Sequence, residues 1–488
     1  MRSPRRTSVV AALGLALLGT GVAAAGGGVQ VPGLSAYLST HQVAGSEATA
    51  LRVPPATPRA RCGPGSLPET GRQGRVPLAD YSNGRAAKGY TCNATEVAHL
   101  GTTGGFKTLR YVDRTGRVCA YYDGTLLFPT ATVHSEAGGV HVLDMSDPTR
   151  PVETDRLVTP AMLSPHESLV VSQSRGLLAA GMGSPATAPG IVDVYDVSQD
   201  CRHPKLQSST PLGILGHESG FSPDGRTLWI STTSQPGVTA IDVSNPRLPS
   251  IVWRDATRTF HGMSLNAEGT RLYAADTGNR GLTILDVSQV QRRVPGPVVK
   301  QVSHLTWPEV SIPQNSVALT IKGRKYLLEF DEYARNVASY TPEDAVGAAR
   351  LIDIQDERRP RVVSTLRLEV HQPAARATDQ KDDPGAQYGV QGYAAHYCNV
   401  PRTVDPGLVA CGFILSGLRV FNIEDPLRPR EVAYFNKPAP NTLPLVSGSY
   451  AMAAPAFDLP SRTIWYADGD SGFYTVRLTN GAWPRSLR

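Results

Sequence analysis

Internal repetition constrains this chain more than any other feature. Short apolar runs ending in an acidic residue recur as VHVLDMSDPTRP, VDVYDVSQDCRHP, VTAIDVSNPRLP, LTILDVSQVQ, ARLIDIQDERRP and LRVFNIEDPLRP, with a degenerate seventh copy, FYTVRLTN. Their marker residues Asp144, Asp196, Asp242, Asp286, Asp353, Asn422 and Arg477 are spaced by 52, 46, 44, 67, 69 and 55 positions. A run such as Thr283-Ile284-Leu285-Asp286-Val287 suits a strand. The Ser-, Asn- or Asp-Pro pair that often follows ends it, because the polar side chain bonds the turn and Pro cannot donate to a ladder. Upstream of the markers, FSPDGRTLWIS, LNAEGTRLYAAD and FDLPSRTIWYAD each join two extended runs through a tight turn. Four strands per unit result, at a period close to one propeller blade of about 40–50 residues with insertions in the longer units. No isolated unit buries both its faces, so seven must stack around an axis. The expected fold class is all-β, a seven-bladed β-propeller of four-stranded antiparallel blades over residues 76–488. Because the chain stops soon after the seventh marker strand, a segment near Val76–Tyr81 or Gly89–Cys92 is expected to complete the last blade.

The ends and the cysteines bear on compartment. Arg2, Arg5 and Arg6 precede an uncharged run from Val9 to Leu18 and then Ala23-Ala24-Ala25, the pattern of a secretory signal cleaved near Ala25. Arg5-Arg6 also admits a twin-arginine reading, though Thr7-Ser8-Val9-Val10 fits that motif poorly. Residues 26–75, rich in Gly, Pro, Ala and Arg, are expected as a flexible lead-in. Within them Leu67-Pro68-Glu69-Thr70-Gly71 spells a sortase pentapeptide, but no apolar stretch and basic tail follow it, so a turn is the better reading. No later stretch reaches the ~20 apolar residues of a membrane helix. Without the three signal arginines the formal charge is 45 minus 42, or +3, with no basic block interleaved with aromatics, so nucleic acid is not an expected partner. Six cysteines in an exported chain predict three disulfides. Cys398 and Cys411 flank a turn-rich segment and should pair, while Cys62, Cys92, Cys119 and Cys201 should pair among themselves.

The units GVTAIDVSNPRLP and GLTILDVSQVQ resemble the LVIVD repeat, an apolar strand ending in Asp-Val-Ser and then Pro, found in extracellular bacterial propellers. The resemblance covers residues 92–480. It implies a propeller fold and an exported location, and it supplies no catalytic residues. Propellers serve as binding platforms, scaffolds and enzymes, so the site needs its own argument.

Aligning the units on their second hairpin yields a column of histidines. Eight residues before the turn lie His166, His217, His261, Asn315 and Ala453; His396 starts the corresponding strand of unit six, and Thr108 lies nearby in unit one. Only 11 of 488 residues are His, so four in seven such positions exceeds chance. Innermost strands start beside the axis, so these residues should ring one mouth of the channel. Converging neutral imidazoles there would bind copper, zinc or another transition metal. The arrangement resembles that of copper-binding seven-bladed propellers and of the selenium-binding or methanethiol-oxidase type, in arrangement only. The alternative is a repeated histidine that bonds a turn of its own blade. His166-Glu167 and His217-Glu218 place a carboxylate beside an imidazole, a supporting acceptor if the strand bends there. In YLLEFDEY, Glu329 and Asp331 share a strand face and would either coordinate a cation or be solvated, with Glu332 next to them. His141, His304 and His371 fall outside the column and are expected to be structural, and His134 sits in a polar loop.

No GxSxG elbow, HExxH helix, Walker loop or dinucleotide fingerprint occurs. Asn93-Ala94-Thr95 is a glycosylation sequon that a bacterial chain would carry by accident. The expected function is a secreted binding module for an extracellular protein, glycan or small molecule, with an axial histidine metal site. The rival is a copper-type oxidase or lyase using His166, His217, His261 and His396. Residues 371–392 are expected to form a long polar loop.

Overall fold

A computed structural model of the protein describes residues 52–124, 138–182, 190–213, 216–232, 236–335, 341–387, 392–438 and 448–487. Residues 1–25, expected as a signal, the first part of the expected lead-in and His134 lie outside them. The described strands form seven antiparallel sheets whose first strands are Thr108–Val112, Val170–Ser172, Glu218–Phe221, Phe260–Leu265, Ile312–Ile321, Ala395–Asn399 and Ala456–Asp458, for blades one to seven. From blade seven through blade one to blade six these first strands contact one another in turn and form the inner ring. Every marker falls in the third strand of its blade, from Val140–Asp144 in blade one to Gly472–Leu478 in blade seven.

Alternation along the strands explains why the sheets close into a circle. In blade one, Cys119 and Tyr121 pack against Leu178, Ala180 and Tyr195 of blade two. Ala120 and Tyr122, the intervening residues, pack against Trp465, Ala467 and Phe473 of blade seven. Both faces of a blade are therefore apolar, and each needs a neighbour. Separate buried clusters fill all the other gaps, between blades two and three, three and four, four and five, five and six, and six and seven. First and last blades are also stitched by backbone: Thr108 N–H donates to the Ala454 carbonyl (3.0 Å) and Ala454 N–H to the Phe106 carbonyl (2.8 Å).

The closing strand differs from either expected segment. Ala94–Leu100 pairs with Gly472–Leu478 as the outermost strand of blade seven. Tyr90–Cys92 is a strand but adds a fifth, outer strand to blade six, and Leu78–Ser82 is a short helix. Asn93 makes the step between blades. Its φ of 51° is left-handed, a region Asn tolerates better than most residues. The side chain accepts from Gly63 N–H (2.8 Å) and donates to the Arg61 and Val432 carbonyls (both 2.9 Å). The sequon asparagine is thus a buried structural residue.

Residues 52–75, read from the sequence as flexible lead-in, lie against blade six. Cys62 is disulfide-bonded to Cys92, and Glu69, from the LPETG stretch, pairs with the fully buried Arg419, which also binds Glu431 (3.1 Å). The other disulfides are Cys119–Cys201 and Cys398–Cys411, the latter between directly opposed residues of adjacent strands. The segment expected as a long polar loop holds two short helices, Pro373–Ala377 and Pro384–Gln387. Asp379 and Asp383 anchor it to Arg72 (2.7 Å) and Arg75 (2.9 Å) of the lead-in. No helix among the described residues is long and apolar enough to cross a membrane.

Candidate metal centre

Inner strands start at the axis, and two local devices aim their first side chains inward. The first is a carboxylate at the end of the second strand that fixes the backbone leading to the inner strand. Asp123 accepts from Phe106 N–H (3.0 Å) and Lys107 N–H (2.9 Å), Asp331 from Ser311 N–H (3.1 Å) and Asp468 from Tyr450 N–H (2.7 Å). The second is a break in register. Pairing of the inner strand slips between Phe260 and Met263 in blade four, Pro313 and Asn315 in blade five, and Ala395 and Cys398 in blade six. The residues freed by these bulges include His261, Gln314, His396 and Tyr397, and bulges redirect side chains in this way. In blade two the same end is served by His166 itself, whose φ of 49° is left-handed and strained for a residue with a Cβ.

All four histidines of the sequence column converge, and they converge on Glu167. Its Oε2 lies 3.0 Å from His217 Nε2, 3.4 Å from His261 Nε2 and 3.9 Å from His166 Nδ1. Its Oε1 lies 3.2 Å from His396 Nε2 and accepts from Gln314 Nε2 (2.8 Å). Glu332, at the end of the second strand of blade five, lies 3.1 Å from His261 Nε2 through Oε1 and 3.3 Å from His396 Nε2 through Oε2. His396 is oriented from behind, its Nδ1 2.8 Å from the Met452 carbonyl. Phe106 stacks on His166 at 4.4 Å. A third carboxylate, Glu218, accepts from Lys107 Nζ (2.9 Å) and from the Tyr397 hydroxyl, while the Lys107 ammonium sits 3.7 Å over the Tyr397 ring. None of these side chains exceeds a tenth of its free exposure.

Burial sets the electrostatics, and neighbours then divide the histidines. Desolvation, reinforced by His217, pushes His166 down to about 3, so it is a neutral imidazole. Desolvation acts the same way on His396, but the Glu167 and Glu332 carboxylates, which accept from its ring, outweigh it and hold it up at about 9. His261 is raised by the same two carboxylates against burial. Burial opposes ionisation of Glu332, yet His261 and His396 draw it down to about 2, and Glu167 is held well below the usual carboxylate range by His261, His217 and His396. Several buried ring nitrogens nonetheless lack a hydrogen bond: both of His166 and Nδ1 of His261. Orphaned polar atoms of this kind are rare in a closed interior and need a reason. Three overlapping sets of donors are close enough to share an ion: His166, Glu167 and His217; Glu167, Glu218 and His261; Glu167, Glu332 and His396.

Glu329 and Asp331 are not at the axis, nor are they solvated. Both bind the fully buried Arg350, Asp331 at 3.0 Å, and Trp307 donates to Asp331 (3.2 Å) and stacks on the guanidinium. The residue that reaches the centre is Glu332, whose side chain leaves the opposite strand face. Gln314 and Lys107 replace Asn315 and Thr108, a displacement of one position. Period and turn spacing carry no trace of the bulge that displaces Gln314. His371 is structural, bonded to the Tyr393 carbonyl (2.8 Å), and His304 meets Thr283 (3.0 Å). His141 stacks on Tyr122 at 4.5 Å.

No family model and no curated protein sequence matches the chain significantly. Solved structures do. Hydrazine synthase of Kuenenia stuttgartiensis aligns with 78% of this chain and 97% of its own at 11% identity, TM-score 0.50. The periplasmic gluconolactonase of Pseudomonas aeruginosa aligns with 75% of this chain and 90% of its own at 15% identity, TM-score 0.49. What the first of these shares with the chain is the fold alone. At such identities the likeness carries no activity across.

Proposed function

We propose that this chain is an exported metal-binding β-propeller that holds a divalent first-row transition ion, zinc or copper, at its axial mouth and binds its ligand there. The convergence of four imidazoles from four blades on Glu167, with His166 neutral and unbonded at both nitrogens, is the observation that carries the reading. A structural histidine that bonds a turn of its own blade would not leave both nitrogens bare. The mixed nitrogen and carboxylate donor set, without thiolate, suits zinc, copper(II), manganese or iron rather than copper(I). Export, cleavage near Ala25 and kinship with LVIVD-repeat propellers belong to the same reading; the three disulfides and the marker strands support them. The ligand is an extracellular protein, glycan or small molecule that reaches this mouth.

A second reading, a metal-dependent oxidase or lyase, is favoured by the Lys107, Glu218 and Tyr397 group. It places a cation, a carboxylate and a phenol next to the proposed ligands, the kind of groups that move protons beside a metal. Elemental analysis of the mature protein, before and after reloading with zinc or copper, tests both. At least one tightly held equivalent is expected; less than a tenth of an equivalent of any transition metal after reloading would remove both readings.

A further inference from the structure

We infer that the centre holds two metal ions bridged by Glu167, an inference that rests on the metal reading above. Glu167 belongs to all three candidate donor sets. Its two oxygens serve different partners: Oε2 meets His217 and His261 and is nearest to His166, while Oε1 meets His396. With metal–donor bonds of about 2.0–2.2 Å, donors on one ion lie roughly 2.9–3.5 Å apart. The pair Glu167 Oε2 and His217 Nε2, at 3.0 Å, meets that spacing for a first ion, with His166 Nδ1 at 3.9 Å completing it after a small rotation. Glu167 Oε1 with His396 Nε2 (3.2 Å), and His396 Nε2 with Glu332 Oε2 (3.3 Å), meet it for a second. His261 Nε2 stands between, 3.3 Å from His217 Nε2 and 3.1 Å from Glu332 Oε1.

The unbonded atoms agree with this division. On the first side both ring nitrogens of His166 lack a hydrogen bond, and on the second Glu332 Oε2 meets only His396 Nε2, at 3.3 Å. Two divalent ions, the carboxylates of Glu167, Glu332 and Glu218, and Lys107 sum to 4 − 3 + 1 = +2. That surplus selects an anionic ligand, a bridging hydroxide or a carboxylate, over a neutral one.

The test uses the whole mature protein, stripped with a chelator and titrated with zinc alone, then with manganese(II) alone. Two equivalents of zinc and a spin-coupled manganese resonance are expected. His166→Ala and His396→Ala should each retain one equivalent and show an uncoupled manganese signal; if His396→Ala does not fold, Glu332→Gln replaces it. One equivalent in the unsubstituted protein, with an uncoupled signal, overturns the bridged pair but leaves the single-ion reading standing. Zero equivalents overturns both. Loss of all metal in both folded variants overturns the division into two positions.

Discussion

Single side chains in this protein divide by burial more than by charge. Arg350 is sealed with Glu329 and Asp331, whereas Arg359 and Asp356 pair in the open, the arginine 87% exposed. Removing one member of a buried pair strands the other, so Arg350→Met should cost about 3–5 kcal/mol in denaturant unfolding, and Arg359→Ala less than about 0.5. His166 behaves oppositely. Its backbone is left-handed and its ring is desolvated without a hydrogen bond, so it weakens the metal-free fold. His166→Asn should leave the metal-free melting temperature unchanged or raised while lowering metal content, because Asn accepts that backbone region. A marked fall in stability with metal retained would instead make it a structural residue. The capping carboxylates carry part of the pH dependence. Burial raises Asp123 to about 7 and Asp468 to about 6 against the pull of their backbone hydrogen bonds. With folded values above the unfolded 3.8, their contribution is full below pH 4 and is lost as pH rises through 6 and 7. His166, lowered to about 3, contributes in the opposite direction up to pH 6.5, so the decline should appear as the difference between melting curves of the protein and of Asp123→Asn from pH 4.5 to 8.

Among elements, the segment before the first blade performs two separable tasks. Ala94–Leu100 closes blade seven, while residues 52–92 add to blade six through the Cys62–Cys92 bridge, Tyr90–Cys92 and the Glu69 contact with Arg419, and to the insertion before it through Arg72 and Arg75. A chain starting at residue 94 should therefore fold cooperatively but melt lower, since Arg419 loses Glu69. One starting at residue 101 exposes the ladder edge of Gly472–Leu478 and should aggregate or lose cooperative unfolding by circular dichroism. Cys119–Cys201 ties the second strand of blade one to the turn after the third strand of blade two, across 82 residues. By the loop-entropy argument the Cys119→Ser, Cys201→Ser pair should cost up to about 4.5 kcal/mol of unfolding free energy, an upper figure for strain-free loops.

For the molecule as a whole, seven similar interfaces make the ring cooperative, and its axis is the one place where every blade contributes. A metal held there binds only the closed ring. Saturating zinc at 100 times its dissociation constant should add roughly 2.7 kcal/mol to the unfolding free energy, with a melting temperature that climbs with metal concentration. Absence of any such shift in calorimetry would separate the histidine cluster from metal binding. The cluster lies at the end of the ring where the inner strands begin, the end at which the connection between blades five and six enters Ala395–Asn399.

The sequence by itself determined the number of blades, their four strands, the Cys398–Cys411 bridge and the convergence of His166, His217, His261 and His396. Each follows from local period, turn chemistry or equal offsets within a repeat, and in a closed ring equal offsets become neighbours. Tertiary structure alone decided that Glu167 is the hub, that Glu332 rather than Glu329 or Asp331 faces the axis, and that Lys107 and Gln314 stand where Thr108 and Asn315 were counted. A left-handed residue and a bulge each turn a strand by one position, and neither leaves a mark in hydrophobic periodicity. The closing strand was likewise settled by space: which of several short N-terminal segments pairs with Gly472–Leu478 depends on where the ring leaves its last edge.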